Sequence, residues 1–360
     1  MILILGGTTE GRLAVRVADA AGSPYWYSTR GELQQIECKN GIHITGALDE
    51  EAMTAFCSQN DIRLLVDAAH PFATELHRTV AAVAESAGLP VVRVERSYPA
   101  GDASIRWCDD YEDAVKQLES DGITRLLALT GVQTIGRLKP YWKNNDCWFR
   151  ILRRDESLRK AVAEGFPEDR LVYYDEDGEA ELIARLAPQA IITKESGESG
   201  GFSQKVSAAH AAGIPVYAVK RPALPEGFEV VTGEHGLRKS IERLVPGFFP
   251  LRSGFTTGAC AAAASKAALL CLLGRPAGDS VEICFPDGER LSLPVASCTL
   301  SSSRKKRSAA ATVIKDAGDD PDVTNGREIV ATVAFSSEPG IHFLPGEGVG
   351  RVTLPGLGLP

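Results

Sequence analysis

The first eleven residues, Met1-Ile-Leu-Ile-Leu-Gly-Gly-Thr-Thr-Glu-Gly11, decide how the rest of the chain is read. Ile2 to Leu5 form an unbroken apolar run, which predicts a strand buried on both faces of a parallel sheet. Gly6 and Gly7 let the chain turn sharply and bring backbone close to a ligand. Thr8 or Thr9 then caps a helix that carries Leu13, Val15 and Val17. A strand feeding through glycines into a helix aims N–H groups and the positive helix end at one spot, which suits a phosphate. An empty strand-to-helix turn is the competing reading, because the loop lacks full G-x-G-x-x-G spacing.

Outward from this stretch the pattern repeats. Tyr25 to Ser28, Ile42 to Thr45, Arg63 to Asp67 and Val91 to Val94 read as strands, with one helix capped by Asp49 and another from Thr74 to Ala87. After a linker at Ser97 to Gly101 a second series begins, with strands at Ile105–Cys108, Arg125–Thr130, Trp148–Leu152, Leu171–Tyr174, Ala190–Thr193 and Val216–Val219. Helices at Glu112–Leu118, Gly178–Leu186 and Ser203–Ala212 lie between them. Short β-loop-α connections predict open parallel sheets. The expected fold class is α/β: two Rossmann-like parallel-sheet halves, residues 1–97 and 98–247, with a ligand cleft between them. Val245-Pro-Gly-Phe-Phe-Pro250 breaks the pattern. Residues 251–360 then read as a smaller α+β fragment. It comprises an Ala-rich helix (Ala259–Leu273), a hairpin (Val281–Phe285 with Leu291–Val295), a polar, mobile segment (Ser297–Ser308) and strands at Thr312–Ile314 and Ile329–Phe335. A Gly/Pro-rich run from Leu344 to Pro360 closes it.

A chain of 360 residues suits two or three domains, and 44% hydrophobic with 24% charged residues is ordinary globular composition. The net charge of −8 argues against nucleic acid as main partner. Eight cysteines without a C-x-x-C pair or paired His spacing read as reduced thiols, so neither disulfides nor a metal site are expected. The start carries no leader pattern and no window reaches about 18 apolar residues, so a cytoplasmic, non-membrane protein is expected.

The candidate chemistry sits on loops after strands. Strand two ends in Ser28-Thr29-Arg30 with no acidic residue until Glu32, which favours the phosphorylated form of a dinucleotide; a solvated Arg30 is the alternative. His70, in Asp67-Ala-Ala-His70-Pro71-Phe72-Ala73, can donate to a ligand, with Pro71 restricting its backbone, although a lone His is more often structural. Thr193-Lys194-Glu195-Ser196-Gly197 continues through Gly200-Gly201 to Lys205 and forms a second anion-binding concavity. Thr130-Gly131 is a smaller version of it. Arg150, Arg153, Arg154 and Lys220-Arg221 are candidates to face acidic groups or are surface charges. No Ser-His-Asp order, P-loop or metal cluster appears, which is consistent with chemistry carried by a cofactor.

Leu5 to Gly11, Asp67 to Ala73, Phe149-Arg-Ile-Leu152, Thr193 to Gly197 with Gly200, Gly201 and Lys205, and Pro215 to Pro222 together resemble the precorrin-6A reductase family of cobalamin synthesis. The motifs run in order over residues 1–245. The resemblance implies NADPH- or NADH-dependent reduction of one double bond of a corrin precursor, cobalt-loaded or metal-free, held between two α/β halves. It implies cofactor contacts at Gly6, Gly7, Thr8, Thr9, Glu10, Ser28, Thr29 and Arg30. Ligand contacts are implied at His70, Pro71 and Phe72 and around Lys194 to Lys205; Thr130, Gly131 and Arg150 are substrate-binding candidates from their own places in the sequence. His70 is the candidate catalytic residue. The family often has Thr and Tyr where this chain has Ala69 and Phe72, so any role of that phenol is missing here.

Leu251 to Ala264, Val313 to Gly326 and Gly346 to Gly356 resemble the start of cobalt-precorrin-5B C(1)-methyltransferase, an S-adenosylmethionine-dependent enzyme of a nearby step. These motifs cover about the first third of that family's length. A fusion with an incomplete methyltransferase part is therefore expected, using S-adenosylmethionine only if that part is functional. The Asp-rich stretch at Asp316, Asp319, Asp320 and Asp322 reads as a turn rather than a metal site. Other enzymes of the pathway are possible partners. The rival functions are methyl transfer by the C-terminal part and a non-catalytic dinucleotide-sensing module.

Overall fold

In the computed structural model, residues 1–31, 36–98, 104–174, 176–286, 288–302 and 307–349 are described. Glu32 and the end of the Gly/Pro-rich run lie outside them. The chain divides into two compact units: Met1–Ser253 together with Cys284–Leu291, and the rest of the described chain.

The first unit opens with β1 (Ile2–Leu5), whose four residues are 0–2% exposed, as its unbroken apolar run requires. It continues through α1 (Thr9–Asp19), β2 (Tyr25–Thr29), β3 (Gly41–Thr45), α2 (Glu50–Gln59), β4 (Leu64–Asp67), α3 (Thr74–Ala87) and β5 (Val91–Glu95). Thr8 and Asp49 are the N-caps of α1 and α2, each accepting an amide with its side chain. The second half runs β6 (Ile105–Cys108), α4 (Tyr111–Ser120), β7 (Arg125–Ala128), α5 (Lys139–Trp142), β8 (Asp146–Ile151), α6 (Asp155–Ala163), β9 (Leu171–Tyr173), α7 (Glu179–Leu186), β10 (Ala190–Lys194), α8 (Phe202–Ala211) and β11 (Val216–Val219).

One segment departs from the sequence expectation. The stretch from Phe228 to Val245, read with the second half, returns to the first. There β12 (Phe228–Thr232) pairs parallel with β5, and α9 (Gly233–Leu244) buries Leu237 and Ile241 in the first half's core. The first sheet is thus ordered β12-β5-β4-β1-β2-β3 and the second β6-β11-β10-β7-β8-β9. The first follows the 3-2-1-4-5-6 order of dinucleotide-binding sheets, and the second differs only in that β6, the first strand of its half, takes the sixth position. The sixth strand of each is delivered by chain that has just left the other half. All pairs in both sheets are parallel. Their C-terminal ends therefore carry the loops that build the site.

The second unit contains α10 (Thr257–Leu272) and most of the β13 (Ser280–Cys284) and β14 (Arg290–Pro294) pair. An antiparallel sheet of β15 (Ser297–Ser302), β16 (Arg307–Ile314) and β17 (Glu328–Ala334) completes it. Ala267, Ala268 and Leu272 of α10 bury Ala309 and Ala311 of β16. Ser297–Ser302 is strand, not the mobile segment expected. Its small polar side chains carry no hydropathy signal, and pairing with β16 supplies the order that composition does not. In the Asp-rich turn, Asp322 pairs with Lys315 and accepts from Thr324, and Asp316 accepts from the Gly318 amide.

Candidate functional site

The first glycine loop is shaped by Tyr27 of β2. A Cβ on Gly6 would stand 2.3 Å from the Tyr27 ring, and one on Gly11 would stand 2.8 Å from its hydroxyl. The Gly7 amide donates to Tyr27 Oη at 3.0 Å. Gly7 itself holds φ at +98° with nothing within 4 Å of where its Cβ would be. Gly6 and Gly11 are therefore packing glycines, whereas Gly7 is the open one. Thr8 Oγ1 accepts the Gly11 amide and donates to the Ala68 carbonyl at 2.7 Å, tying the loop to the end of β4. Beside it, Ser28 and Thr29 are buried and Arg30 is exposed. Thr29 Oγ1 donates to the Gly31 carbonyl and lies 2.7 Å from Nε2 of His43.

Glu10 reaches the second half's glycine-rich loop. It is buried, accepts a hydrogen bond from Ser199 Oγ at 2.6 Å and lies 2.9 Å from the Arg96 guanidinium. Burial alone would raise its pKa; Ser199 and Arg96 outweigh it and hold the carboxyl below its ordinary range. Arg96 also donates to the Ser196 carbonyl at 2.7 Å, and the Glu198 amide donates to the Ser97 carbonyl. The two glycine-rich loops, one from each half, are thus bound together at their tips.

Behind His70 lies a buried ionic network. Asp67 Oδ2 is 2.6 Å from His77 Nδ1, and Asp67 Oδ1 accepts from Arg93 at 2.9 Å and from the Ala69 amide at 3.0 Å. Arg93 also donates to Glu95 at 2.8 Å. His77 Nε2 reaches the His70 carbonyl at 3.2 Å, so the network anchors the backbone of the His70 loop. The His70 ring accepts the Phe72 amide at Nδ1, which places its own proton on Nε2. Burial, with Arg96, Lys194, Arg93 and Lys205 around it, pushes its pKa down to about 3. His70 is a neutral hydrogen-bond donor at physiological pH.

On the second half, Lys194 ends β10 with its ammonium 5.4 Å from the centre of the Phe72 ring. Lys205 of α8 is buried and donates to the Gly200 carbonyl at 2.9 Å. Burial lowers both lysines to about 8. Lys205 and Arg137 add to the effect on Lys194; on Lys205, Glu179 opposes it while Arg150 and Arg96 add to it.

Arg150 is buried, paired with Glu179 at 2.7 Å and stacked 4.3 Å over Tyr174, while its Nε has no hydrogen-bond partner among the described residues. Glu195 accepts the Arg221 amide. Gly197 and Gly200 face Arg96 and Ser196, where a Cβ would stand 2.9 and 2.4 Å away, and Ser196 is itself buried. Gly201, at φ +67°, leads into α8. Thr130 bonds Thr134, while Gly131 turns at φ +79° beside open space. Pro71 is buried and Phe72 packs on the second half's core.

Residues 1–241 match the family model described as precorrin-6x reductase CbiJ/CobK. The chain belongs to this family. A solved structure titled CobK precorrin-6A reductase matches with a TM-score of 0.55 at 22% identity, over 68% of this chain and 97% of that one, which shows the reductase fold. Residues 247–360 match the CbiD family model. Over 109 residues the chain is 54% identical to cobalt-precorrin-5B C(1)-methyltransferase of Salinispora arenicola (strain CNS-205), covering 30% of this chain and 28% of that protein. The protein of that name from Geobacillus kaustophilus (strain HTA426) is 49% identical over 110 residues, 31% and 28% of the two chains. The chain spans under a third of the length of these curated relatives. No helix of the described residues is long and apolar enough to cross a membrane, and none of them form a group of three or more metal ligands.

Several residues that build this reductase-family site escaped the sequence reading. Arg93 was legible in retrospect as a charge inside the apolar run Val91–Val94, beside Asp67 on the neighbouring strand. Arg96, Arg137, Tyr27 and His43 carried no local signal.

Proposed function

We propose that the chain catalyses NAD(P)H-dependent reduction of a carbon–carbon double bond in a corrin precursor of the precorrin-6A class. The observation that carries this reading is the cationic patch of Lys194, Lys205 and Arg137, with Lys194 resting on Phe72 of the His70 loop. A polycarboxylate macrocycle would complete that patch's charge. The open face of Gly7 at the start of α1 fits a phosphate-bearing cofactor. Gly7, Thr8 and Thr9 with Ser28, Thr29 and Arg30 would hold it, and Arg30 favours NADPH over NADH. When bound, the reduced nicotinamide supplies the hydride. His70 orients the substrate as a neutral donor through Nε2, and Phe72 covers the macrocycle edge. Cobalt-precorrin-6A is the preferred substrate, because the fused segment resembles a methyltransferase acting on cobalt-loaded intermediates. Oxidation of NADPH or NADH at 340 nm on adding precorrin-6A or its cobalt form tests the reading. No substrate-dependent oxidation with either nicotinamide would sink it.

A second reading, methyl transfer from S-adenosylmethionine, is favoured by the 54% identity of the C-terminal segment to a named methyltransferase. Incubation of the full chain with cobalt-precorrin-5B and methyl-labelled S-adenosylmethionine tests it.

A further inference from the structure

We propose that Lys194 is the proton donor of this reduction, giving a proton from Nζ to the carbon of the double bond that does not receive the hydride. The inference rests on the reductase reading above. In the step, an Nζ–H bond breaks as a C–H bond forms, and the electron pair remains on Nζ as a neutral amine. The other carbon takes a hydride from the reduced nicotinamide, so the substrate gains two hydrogens. Water then reprotonates the amine.

Elimination among the site's titratable groups leads here. Arg96 and Arg137 keep their protons at any working pH. Glu10 is held ionised by Ser199 and Arg96, and Asp67 by His77 and Arg93, despite burial that opposes both. His70 carries only its Nε2 proton, and losing that would create an imidazolate. Lys205 is buried with Nζ committed to the Gly200 carbonyl. Lys194 differs from all of these. It is half-buried at the end of a central strand, has no carboxylate partner among the described residues, and rests on the Phe72 ring face. An aromatic face attracts the charge without fixing an N–H to an oxygen. The groups facing it are Lys205 from α8, Arg137 from the loop after β7, and His70 and Phe72 from the loop after β4. With burial, the two cations bring its acidity to about 8, near the pH at which a general acid works best.

The test uses the full chain and its Lys194→Arg and Lys194→Met variants, with NADPH and precorrin-6A or its cobalt form. Substrate affinity is measured by titration without cofactor, and kcat from pH 6 to 10. NMR of 13C-methylated lysines gives a readout independent of turnover. Lys194→Arg should bind substrate within a few-fold of wild type, showing an intact fold, yet lose roughly 10²–10⁴-fold in kcat. Wild-type kcat should fall above about pH 8, and the methylated wild-type chain should show a lysine resonance titrating there that Lys194→Met lacks. Turnover by Lys194→Arg within a few-fold of wild type, with the same alkaline limb, would overturn the assignment and leave the reductase reading standing. Absence of turnover by wild type would overturn both.

Discussion

Glu10 and Ser199 are 189 residues apart in the chain, yet Ser199 Oγ donates to Glu10 Oε1 at 2.6 Å. Through this bond the start of the first helix holds the tip of the second half's glycine-rich loop. Ser199→Ala removes one hydrogen bond and should cost about 1 kcal/mol. Glu10→Ala also strips buried Arg96 of its carboxylate and should cost roughly 3–5 kcal/mol. Urea unfolding of both variants measures the difference; equal losses would show that the ion pair contributes nothing.

The two glycines of the first loop should fail differently. Gly6→Ala drives a methyl into the Tyr27 ring and should cost about 1–3 kcal/mol through overpacking. Trimming the ring in Gly6→Ala/Tyr27→Leu should recover part of that loss, a positive coupling in a double-mutant cycle. Gly7→Ala meets no neighbour, and its cost of about 1 kcal/mol comes from φ alone. A Tyr27→Leu change that gave Gly7→Ala the same rescue would contradict this division.

Arg30→Ala should weaken NADPH binding roughly 10- to 150-fold and leave NADH binding nearly unchanged, since a charge-assisted contact to a 2′-phosphate is worth about 1.5–3 kcal/mol. Isothermal titration of both nucleotides reads it. Equal losses for the two would remove Arg30 from the phosphate.

Lys205 links the site to stability. Its amine is pushed down to about 8 in the fold, mainly by burial, from an ordinary value of 10.5. Between these values the unfolded chain holds a proton that the native chain has released, so unfolding free energy rises with pH across that window. Below pH 8 both states are charged and the full penalty applies. Lys205→Met should therefore gain on wild type most at pH 7, and that advantage should shrink by on the order of 1–3 kcal/mol by pH 10.5. Denaturation at pH 7, 8.5 and 10 tests this; a pH-independent difference would exclude it.

The fold was largely legible because its signals are local. Ile2–Leu5 reads as a buried parallel strand, and Thr8 and Asp49 announce helix starts with nothing else known. The destination of Phe228–Thr232 was not legible. An edge strand shows weak burial, and its partner β5 lies more than 130 residues earlier. The site divides the same way. Glycines, His70 and the lysines stood out as residue types after strands. Their partners did not: that Glu10 would meet Ser199 depends on how the two sheets face each other, and that Arg150 would meet Glu179 depends on where α7 lies against β8.

The exchange of edge strands has a consequence for synthesis. β5 is finished when Glu95 is made, but its outer edge stays open until Thr232 is made. At roughly 5–20 residues per second, that interval is on the order of 10–30 s. Throughout it, a nascent sheet exposes unpaired N–H and C=O groups. The first sheet cannot gain its sixth strand until the last strand of the second, Val216–Val219, has already been made.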